Sequence, residues 1–412
     1  MAEATELTNF PRESTLQEVL EVLERIAALK AAEVSASLDP DTLTLEQIRS
    51  IVRLGYADKV FEIGQKIAVP YTYNGSEYEF IWDIVHFDNV ELEDGETVPG
   101  MFLQAHYATP ESLMFDSYEA FYIAEDGLEA GTYNITAGYS SNSLTSGTSY
   151  QFTLTEDVPA GGVLAGFRLA GSSSVTDIST LYVYSYESQN SGYSDYIEAV
   201  AISEGSDGTN LGTFYISSEA ADSGLNHGHR FQYGYNRWSQ SAYRQWLNSD
   251  AAAGAWWEAQ NDYDLPPQQS ASYPGFKAGF EEDFLNVLKK IKVTTALNTV
   301  EGLTDTSEDT YDMFFLPSLE QIYVVPQLSD VEGDYWEYWK RATGAASPQA
   351  QYGTYPLRIT YGLDAKSSAC IVRLRSANRG NANGAWCVSS TGNVTNSIAC
   401  STFRCAPACV IA

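Results

Sequence analysis

Apolar and polar residues alternate from about residue 58 onward, and this pattern favours β structure over much of the chain. The segment 59–92 contains two alternating runs, which are joined by Tyr-Asn-Gly-Ser-Glu at 73–77. Asn-Gly is typical of tight β-hairpin turns, because both residues tolerate the positive φ angles that such turns need. A further run over 97–110 predicts another strand.

Residues 126–216 have a different composition, rich in Gly, Ser, Thr and Tyr and nearly free of Lys and Arg. Short apolar runs recur between turn residues, as at 131–136 and 211–217. This pattern predicts a separate β-sandwich of short antiparallel strands.

The first 50 residues are charged and have a helical pattern. The apolar residues at a spacing of three and then four are Leu16, Val19, Leu23 and Ile26. About two heptads of this kind predict either an amphipathic helix packed on the body or an oligomerisation stem. A second helix is predicted after Pro40, with its start at Asp41 or Thr42.

Two more helices are predicted after residue 218. The first covers 236–250 and carries Trp238, Tyr243, Trp246 and Leu247 as its apolar residues. The second covers 279–293, where early acidic residues and late lysines suit the helix dipole. Tryptophans with this periodicity favour a core role over sugar stacking.

The balance of charge excludes several classes of partner. A net charge of −31 argues against nucleic acids and anionic membrane surfaces, since both require a basic face. No EF-hand-like loop is present, which favours a general acidic, solvated surface over calcium sites. The first ten residues lack a secretory pattern and no apolar stretch could cross a bilayer, so we expect folding in a cytosol, without membrane insertion.

Motifs for catalysis are absent from the sequence: there is no nucleophile elbow, Walker loop or dinucleotide fingerprint. His227 and His229 could begin a metal site, but no third ligand can be assigned. We therefore predict a protein that is not an enzyme and has neither cofactor nor metal.

All five cysteines fall within the last 43 residues, and their odd number prevents complete pairing within the chain. Cys405 and Cys409 are predicted to be small buried residues near a strand, with a disulfide as the alternative. In the predicted hairpin around 386–394, Trp386 would face the core and Cys387 would face solvent. An exposed free thiol is unusual on an evolved surface.

The segment 375–404 also lacks Lys, Glu, Gln and Met. Apart from Trp386, its residues all belong to the set that codons ending in a pyrimidine encode. An asparagine codon that is randomised at its adenines yields only this set. The pattern suggests a surface that has been diversified rather than optimised residue by residue.

Four motifs stand close together in the C-terminal part: Arg-Leu-Arg-Ser-Ala-Asn-Arg-Gly at 373–380, Ala-Trp-Cys-Val at 385–388, Thr-Gly-Asn-Val at 391–394 and Arg-Cys-Ala-Pro-Ala-Cys-Val-Ile at 404–411. With these motifs the C-terminal part resembles the variable proteins of diversity-generating retroelements of gut phages, which use a C-type lectin fold. Pieces at 243–250, 314–323 and 333–341 are similar to a lectin-fold domain of gut bacteria and their phages, and 83–110 resembles the N-terminal half of such phage proteins.

The resemblance implies an α+β protein: a C-type-lectin-like domain in two parts, 55–125 and 218–412, with an inserted β-sandwich at 126–217 and a helical segment at 1–54. The variable region would cover about 378–403, with Trp386, Val388, Val394 and Arg404 as scaffold. The implied binding residues are Asn378, Asn381, Asn383, Gly384, Cys387, Ser389, Asn393, Thr395, Asn396, Ser397, Ile398, Cys400, Ser401 and Phe403.

The implied function is attachment of a phage virion to a host surface protein or glycan, as a homo-oligomer, with a trimer as one form, in contact with other virion proteins. Calcium-dependent sugar binding is not implied, because the acidic–Asn calcium motif is absent. Three alternatives remain: a bacterial surface adhesin, a decoration protein without a receptor role, and an oxidase of the formylglycine-generating type. The oxidase would require Cys400 and Cys405 to hold copper.

Overall fold

The computed structural model describes residues 42–117, 129–130, 157, 234–261, 264, 266–299, 305–322, 331–342 and 356–412, together with short strands between 123 and 217. The predicted helix around 16–26 lies outside these residues, as do His227 and His229. Helices and mostly antiparallel sheets follow each other irregularly along the chain, so the predicted α+β class is confirmed. None of the helices in the described ranges is both long and apolar enough to cross a bilayer.

The helix predicted after Pro40 is present as α1, Leu45–Arg53. It begins after Thr44, so the predicted start at Asp41 or Thr42 is two to three residues too early. The Thr44 side chain accepts a hydrogen bond from the Gln47 amide, and the Gln47 side chain accepts one from the Thr44 amide. This reciprocal capping box determines the first turn. The apolar face of α1 joins the main core.

The N-terminal half of the body then forms an antiparallel meander. Its three strands are β1 (Lys66–Tyr73), β2 (Ser76–Glu91) and β3 (Thr97–Ala105). The helix α2 (Ala57–Val60) precedes them, and the short strand β4 (Leu113–Met114) follows them and belongs to a different sheet. Asn74 and Gly75 join β1 to β2 with φ angles of 48° and 80°. The hairpin and the third strand predicted from the sequence are therefore confirmed.

Strands account for most of the described residues between 123 and 217, in agreement with the β structure that the sequence predicts for 126–216. They are β5 (Ile123–Ala124), β6 (Gly131–Thr136), β7 (Ser149–Leu154), β8 (Gly162–Val163), β9 (Arg168–Leu169), β10 (Asp177–Ile178), β11 (Leu181–Tyr182), β12 (Tyr196–Glu204) and β13 (Thr209–Ser217). Seven form one sheet in the order β10-β7-β6-β12-β13-β5-β8, and β9 pairs with β11. The packing of two layers into a sandwich stays a prediction.

The chain returns to the body through two short helices, α3 (Ala242–Leu247) and α4 (Glu282–Val287). Both were predicted to be longer. Lys289 and Lys290 lie beyond α4, so the proposed match between late lysines and the helix dipole is wrong. The next residues form β14 (Ile291–Ala296) instead.

The remaining elements complete two five-stranded sheets, contribute to two small two-stranded sheets and add two short helices. They are β15 (Ser307–Asp312), β16 (Phe314–Phe315), α5 (Leu319–Ile322), α6 (Glu337–Ala342), β17 (Thr360–Tyr361), β18 (Ala369–Cys370), β19 (Val372–Ala377), β20 (Gly384–Val388), β21 (Val394–Ile398), β22 (Thr402–Cys405) and β23 (Ala408–Ile411). The central sheet has the order β1-β2-β3-β23-β16, and the C-terminal sheet has the order β21-β20-β19-β22-β4.

An aromatic cluster forms the centre of the core. Phe280 stacks on Phe314 at 5.5 Å between ring centroids, and Trp82 lies 6.1 Å from Phe314. Because the C-terminal strand β23 pairs with β3, residues 42–117 and the C-terminal half share one core. Aromatic rings dominate such cores, since each buries about 150–250 Å².

Candidate functional site

The candidate binding surface is built on the edge of the C-terminal sheet. Strands β20 and β21 form an antiparallel hairpin, in which Val388 pairs with Val394. In its turn the Ser389 amide donates to the Asn393 carbonyl at 2.8 Å, and Gly392 has a φ of 81°. The positive φ explains the glycine at this position.

Cys387 does not face solvent as predicted, because its exposed fraction is only 1%. It pairs with Thr395 on one side and with Arg373 on the other. Arg373 is itself fully buried on that face. Both faces of β20 are therefore covered by other residues. The alternation of apolar and polar residues along the strand does not reveal that second covered face. Burial raises the pKa of the Cys387 thiol, an effect that Arg373 opposes.

The other predicted binding residues fall into three groups. Thr395 and Asn396 are exposed. Half-buried are Asn378, Asn381, Ser389, Asn393, Ser397, Ile398, Ser401 and Phe403. Buried are Asn383, Gly384, Cys387 and Cys400. The prediction that these last four positions lie on the surface is wrong, because little or none of each residue reaches solvent.

Arg373 holds the backbone of this surface from beneath. Its guanidinium donates to four main-chain carbonyl oxygens at 2.9–3.1 Å: those of Ala385, Ser397, Ile398 and Ser401. It also lies 4.6 Å from the centroid of the Phe403 ring. Carbonyl dipoles and the ring face offset part of the cost of burying this charge, and burial lowers the pKa of Arg373.

Asn236 holds the loop 378–384 in a similar way. Its side-chain amide donates to the carbonyl oxygens of Asn378, Asn381 and Gly384 at 2.8–3.2 Å. The main-chain amide of Asn236 donates to the carbonyl oxygen of Ala382 at 2.9 Å. Asn236 is fully buried, so four main-chain contacts tie the loop to residues that are distant in sequence.

Two of the predicted binding asparagines also shape this loop. The Asn381 side-chain oxygen accepts from the amides of Asn383 and Gly384, and that of Asn378 accepts from the Gly380 amide. Asparagine commonly stabilises turns in this way. The side-chain oxygens of Asn378 and Asn381 therefore have a structural role in this loop.

The predicted scaffold residues have different surroundings. Val388 and Val394 belong to the core, and Trp386 is half-buried against it. Arg404 forms an ion pair with Asp364, and this pairing lowers the pKa of Asp364. All four thus hold the hairpin or its neighbours in place.

All five cysteines lie in the described part of the chain, and none forms a disulfide bond. The prediction that Cys405 and Cys409 are small buried residues on or near a strand is confirmed. Burial raises the pKa of Cys405 to about 12. Copper binding by Cys400 and Cys405 would require deprotonation of this buried thiol, which is costly.

A second buried arginine, Arg375, lies on the same strand. It donates to the Gln321 side chain at 2.7 Å and to the Glu332 carbonyl at 2.6 Å. The Glu332 carboxylate accepts from the Ser376 hydroxyl and from the Ala296 amide. Burial lowers the pKa of Arg375 to about 10 and raises the pKa of Glu332, and each charge opposes the shift of the other.

Sequence reasoning did not identify Arg373 or Asn236 as the residues that support the surface. A signal for Arg373 existed, since an arginine that alternates with apolar residues in Val-Arg-Leu-Arg at 372–375 indicates a buried, hydrogen-bonded charge. Asn236 carried no such signal, because its partners in the loop 378–384 lie more than 140 positions away.

Comparison with known families finds a match for residues 211–412 to a domain of unknown function, DUF6273. The matched region is slightly less than half of the chain. It includes the candidate surface but not β3, with which the C-terminal strand β23 pairs. No curated protein and no solved structure matches the chain.

Proposed function

We propose that the chain is a non-enzymatic binding protein, which uses the surface around 378–403 to attach to a host surface protein or glycan. One observation carries this proposal. Arg373 and Asn236 hold the segment mainly through its main-chain carbonyl oxygens. The exposed side chains of Thr395 and Asn396 form no hydrogen bond with the described residues.

Contacts to main-chain atoms do not depend on the side chains at the positions they hold. Replacement of an exposed side chain therefore leaves the support intact, and such changes usually alter stability by less than about 0.5 kcal/mol. A surface of this kind can change its specificity without losing its fold.

The chemistry of the surface suits recognition by hydrogen bonds and aromatic contact. Arg379 is the sole charged residue between 378 and 403, although the chain carries a net charge of −31. A patch without acidic residues avoids repulsion from acidic cell surfaces. Its Ser, Thr and Asn side chains supply donors and acceptors, and the half-buried Trp386 and Phe403 supply apolar area.

The finer parts of the proposal rest on the motifs and on the codon set. The body, 55–125 and 218–412, adopts a C-type-lectin-like fold, and the chain is the variable protein of a diversity-generating retroelement in a phage. It acts on the virion, on the tail or at another exposed position, together with other virion proteins. Assembly into a homo-oligomer such as a trimer would raise avidity from weak single sites.

Deep sequencing of this gene and its flanking DNA in one propagated population tests the diversification. We expect substitutions confined to about 378–403, with adenines at matching positions of a nearby near-repeat. Substitutions should concentrate at exposed and half-buried positions such as Thr395 and Asn396, and spare Cys387. Uniform or absent variation without a repeat would contradict the proposal and favour a decoration protein or an adhesin with a constant surface.

Binding itself is tested with fluorescently labelled chain on intact host cells. Thr395→Trp should reduce binding severalfold, because a large ring on an exposed strand blocks close approach to the surface. Thr72→Trp is the matched control, since Thr72 is also an exposed threonine on an edge strand of its sheet. Equal binding of both variants would place the contact surface elsewhere.

A further inference from the structure

A second feature of the molecule is a cleft of about 230 Å³ between the later part of β2, the start of β14 and residues 331–336. His86 and Asp88 of β2 line this cleft together with Asp334. A ring nitrogen of His86 and one carboxylate oxygen from each aspartate all lie within 4.8 Å of one another. Neither the motifs nor the candidate binding surface accounts for this cluster.

A β-bulge turns His86 towards the cleft. Ile84 pairs with Leu103 of β3, whereas His86, two residues later, pairs with Phe102. Adjacent residues of β3 point to opposite faces of the sheet, so Ile84 and His86 do as well. In a regular strand they would share a face, and bulges often redirect side chains at functional sites. Asp88 follows His86 by two residues and shares its face.

Asp334 reaches the cleft because of the backbone at Gly333. This glycine has a φ of 109°, which side-chain-bearing residues rarely adopt. Glu332 before it is buried, whereas Asp334 after it is exposed. The glycine thus allows one acidic residue to point into the protein and the other to face His86.

His86 is the observation that points to a ligand. Its exposed fraction is 9%, and neither of its ring nitrogens has a hydrogen-bond partner among the described residues. A neutral imidazole has one donor and one acceptor, and buried polar groups are rarely left without partners. A ligand in the cleft, next to two exposed carboxylates, would satisfy the acceptor nitrogen.

The geometry points to a binding site for a divalent transition-metal ion, held by a ring nitrogen of His86 and a carboxylate oxygen from each of Asp88 and Asp334. One imidazole and two carboxylates suit Zn²⁺ or Mn²⁺, whereas Ca²⁺ and Mg²⁺ prefer oxygen ligands alone. Metal–ligand bonds of about 2.0–2.2 Å place the ligand atoms about 3–4 Å from one another. The carboxylate oxygens of the two exposed aspartates would therefore need to move closer by about 1 Å.

A metal ion here would connect β2 to the segment that leads into α6. Three protein ligands also leave at least one coordination position open to the cleft, where water or an anionic group of a ligand could bind. This site lies apart from the candidate surface at 378–403, and it does not depend on the proposed function.

Isothermal titration of the full, chelator-treated chain with ZnCl₂ alone tests the site. We expect one Zn²⁺ per chain at this site, with affinity that falls at least about tenfold in His86→Ala and in Asp334→Asn. Asp334 is exposed, so Asp334→Asn should retain the fold even if His86→Ala does not. Asp58→Asn and His106→Ala serve as controls, since both residues lie outside the cluster and should leave the affinity unchanged.

A parallel titration with Co²⁺ separates this site from thiol sites. Nitrogen and oxygen ligands give visible bands without a thiolate charge-transfer band, whereas binding by Cys370 would produce such a band. The proposal is overturned if Zn²⁺ does not bind, if Asp334→Asn binds as tightly as the unaltered chain, or if the Co²⁺ spectrum shows sulfur ligation. Displacement of Zn²⁺ by modest concentrations of Ca²⁺ would also contradict it.

Discussion

Arg373 and Arg375 lie two residues apart on β19, and both are fully buried, but their charges are accommodated in different ways. Arg373 donates to main-chain carbonyl oxygens only, and no carboxylate is among the titratable groups that shift its pKa. Arg375 also uses a side chain, that of Gln321, and the buried carboxylate of Glu332 partly compensates its charge.

The difference separates two kinds of support. Around Arg373, hydrogen bonds to the main chain persist when neighbouring side chains change, which suits a surface that varies. Around Arg375, the network requires particular residues, because Gln321, Glu332 and Ser376 all take part through their side chains. One strand thus supports a replaceable surface and a network of defined residues.

The largest expected effect is that of Arg375→Ala. This change leaves Glu332 buried without a compensating charge, and loss of one partner of a buried charged pair costs about 3–5 kcal/mol. Arg373→Ala leaves carbonyl oxygens unsatisfied but no opposite charge, so we expect a smaller loss of about 2–3 kcal/mol. Urea unfolding of both variants measures the difference.

The comparison fails if Arg373→Ala costs as much as Arg375→Ala. A double variant, Arg375→Ala with Glu332→Gln, sharpens the test, since it removes both charges. Its free energy of unfolding should exceed the value expected from adding the two single changes.

An intermediate effect is expected for Glu332→Gln, and it should depend on pH. Burial raises the pKa of Glu332 above 4.5, its usual value. Below about pH 4.5 the carboxyl is protonated in the folded and unfolded states alike. As the pH rises through the folded-state pKa, the unfolded state binds fewer protons, so the unaltered chain loses stability relative to Glu332→Gln.

Urea unfolding from acidic to neutral pH measures this difference. Glu79→Gln, on an exposed position of β2, is the control for the loss of one carboxylate. A constant difference between Glu332→Gln and the unaltered chain across the range would refute the assigned burial effect. The Arg373 network has no carboxylate to contribute such a dependence.

The smallest effect should occur on the surface that Arg373 supports. Thr395→Trp is expected to change the free energy of unfolding by less than about 0.5 kcal/mol, because the side chain is exposed. Cys387→Trp, at the directly opposite position of the ladder, should cost several times more through overpacking. Thermal unfolding of both variants suffices, and similar losses would show that the surface is not tolerant of substitution.

Local signals predicted much of the architecture. The Asn74-Gly75 hairpin, the strand over 97–105 and the helix that carries Trp246 are all present. Each depends on residues within a few positions of one another, and turn geometry and periodicity report such relations well. Element ends were less predictable: α4 stops at Val287, where β14 and its neighbours compete for the following residues.

The candidate site was predicted only in part. Its position near the hairpin followed from the motifs, and the exposed Thr395 and Asn396 agree with it. The prediction for Cys387 was wrong because alternation of apolar and polar residues assigns one solvent-exposed face to a strand. In this strand Arg373 covers that face. The side chains that pack over a strand come from residues distant in the sequence, and a local sequence pattern gives no information about them.

The sequence by itself determined the α+β class, the β character of 126–216, the burial of Cys405 and Cys409, and the acidic charge outside a C-terminal segment without acidic residues. The tertiary structure alone decided which side chains of that segment reach solvent and where His86 points. Both depend on strand register, on a bulge and on contacts between residues far apart in the chain. Such contacts form only when the whole core assembles, since no local run of residues is stable enough to impose them.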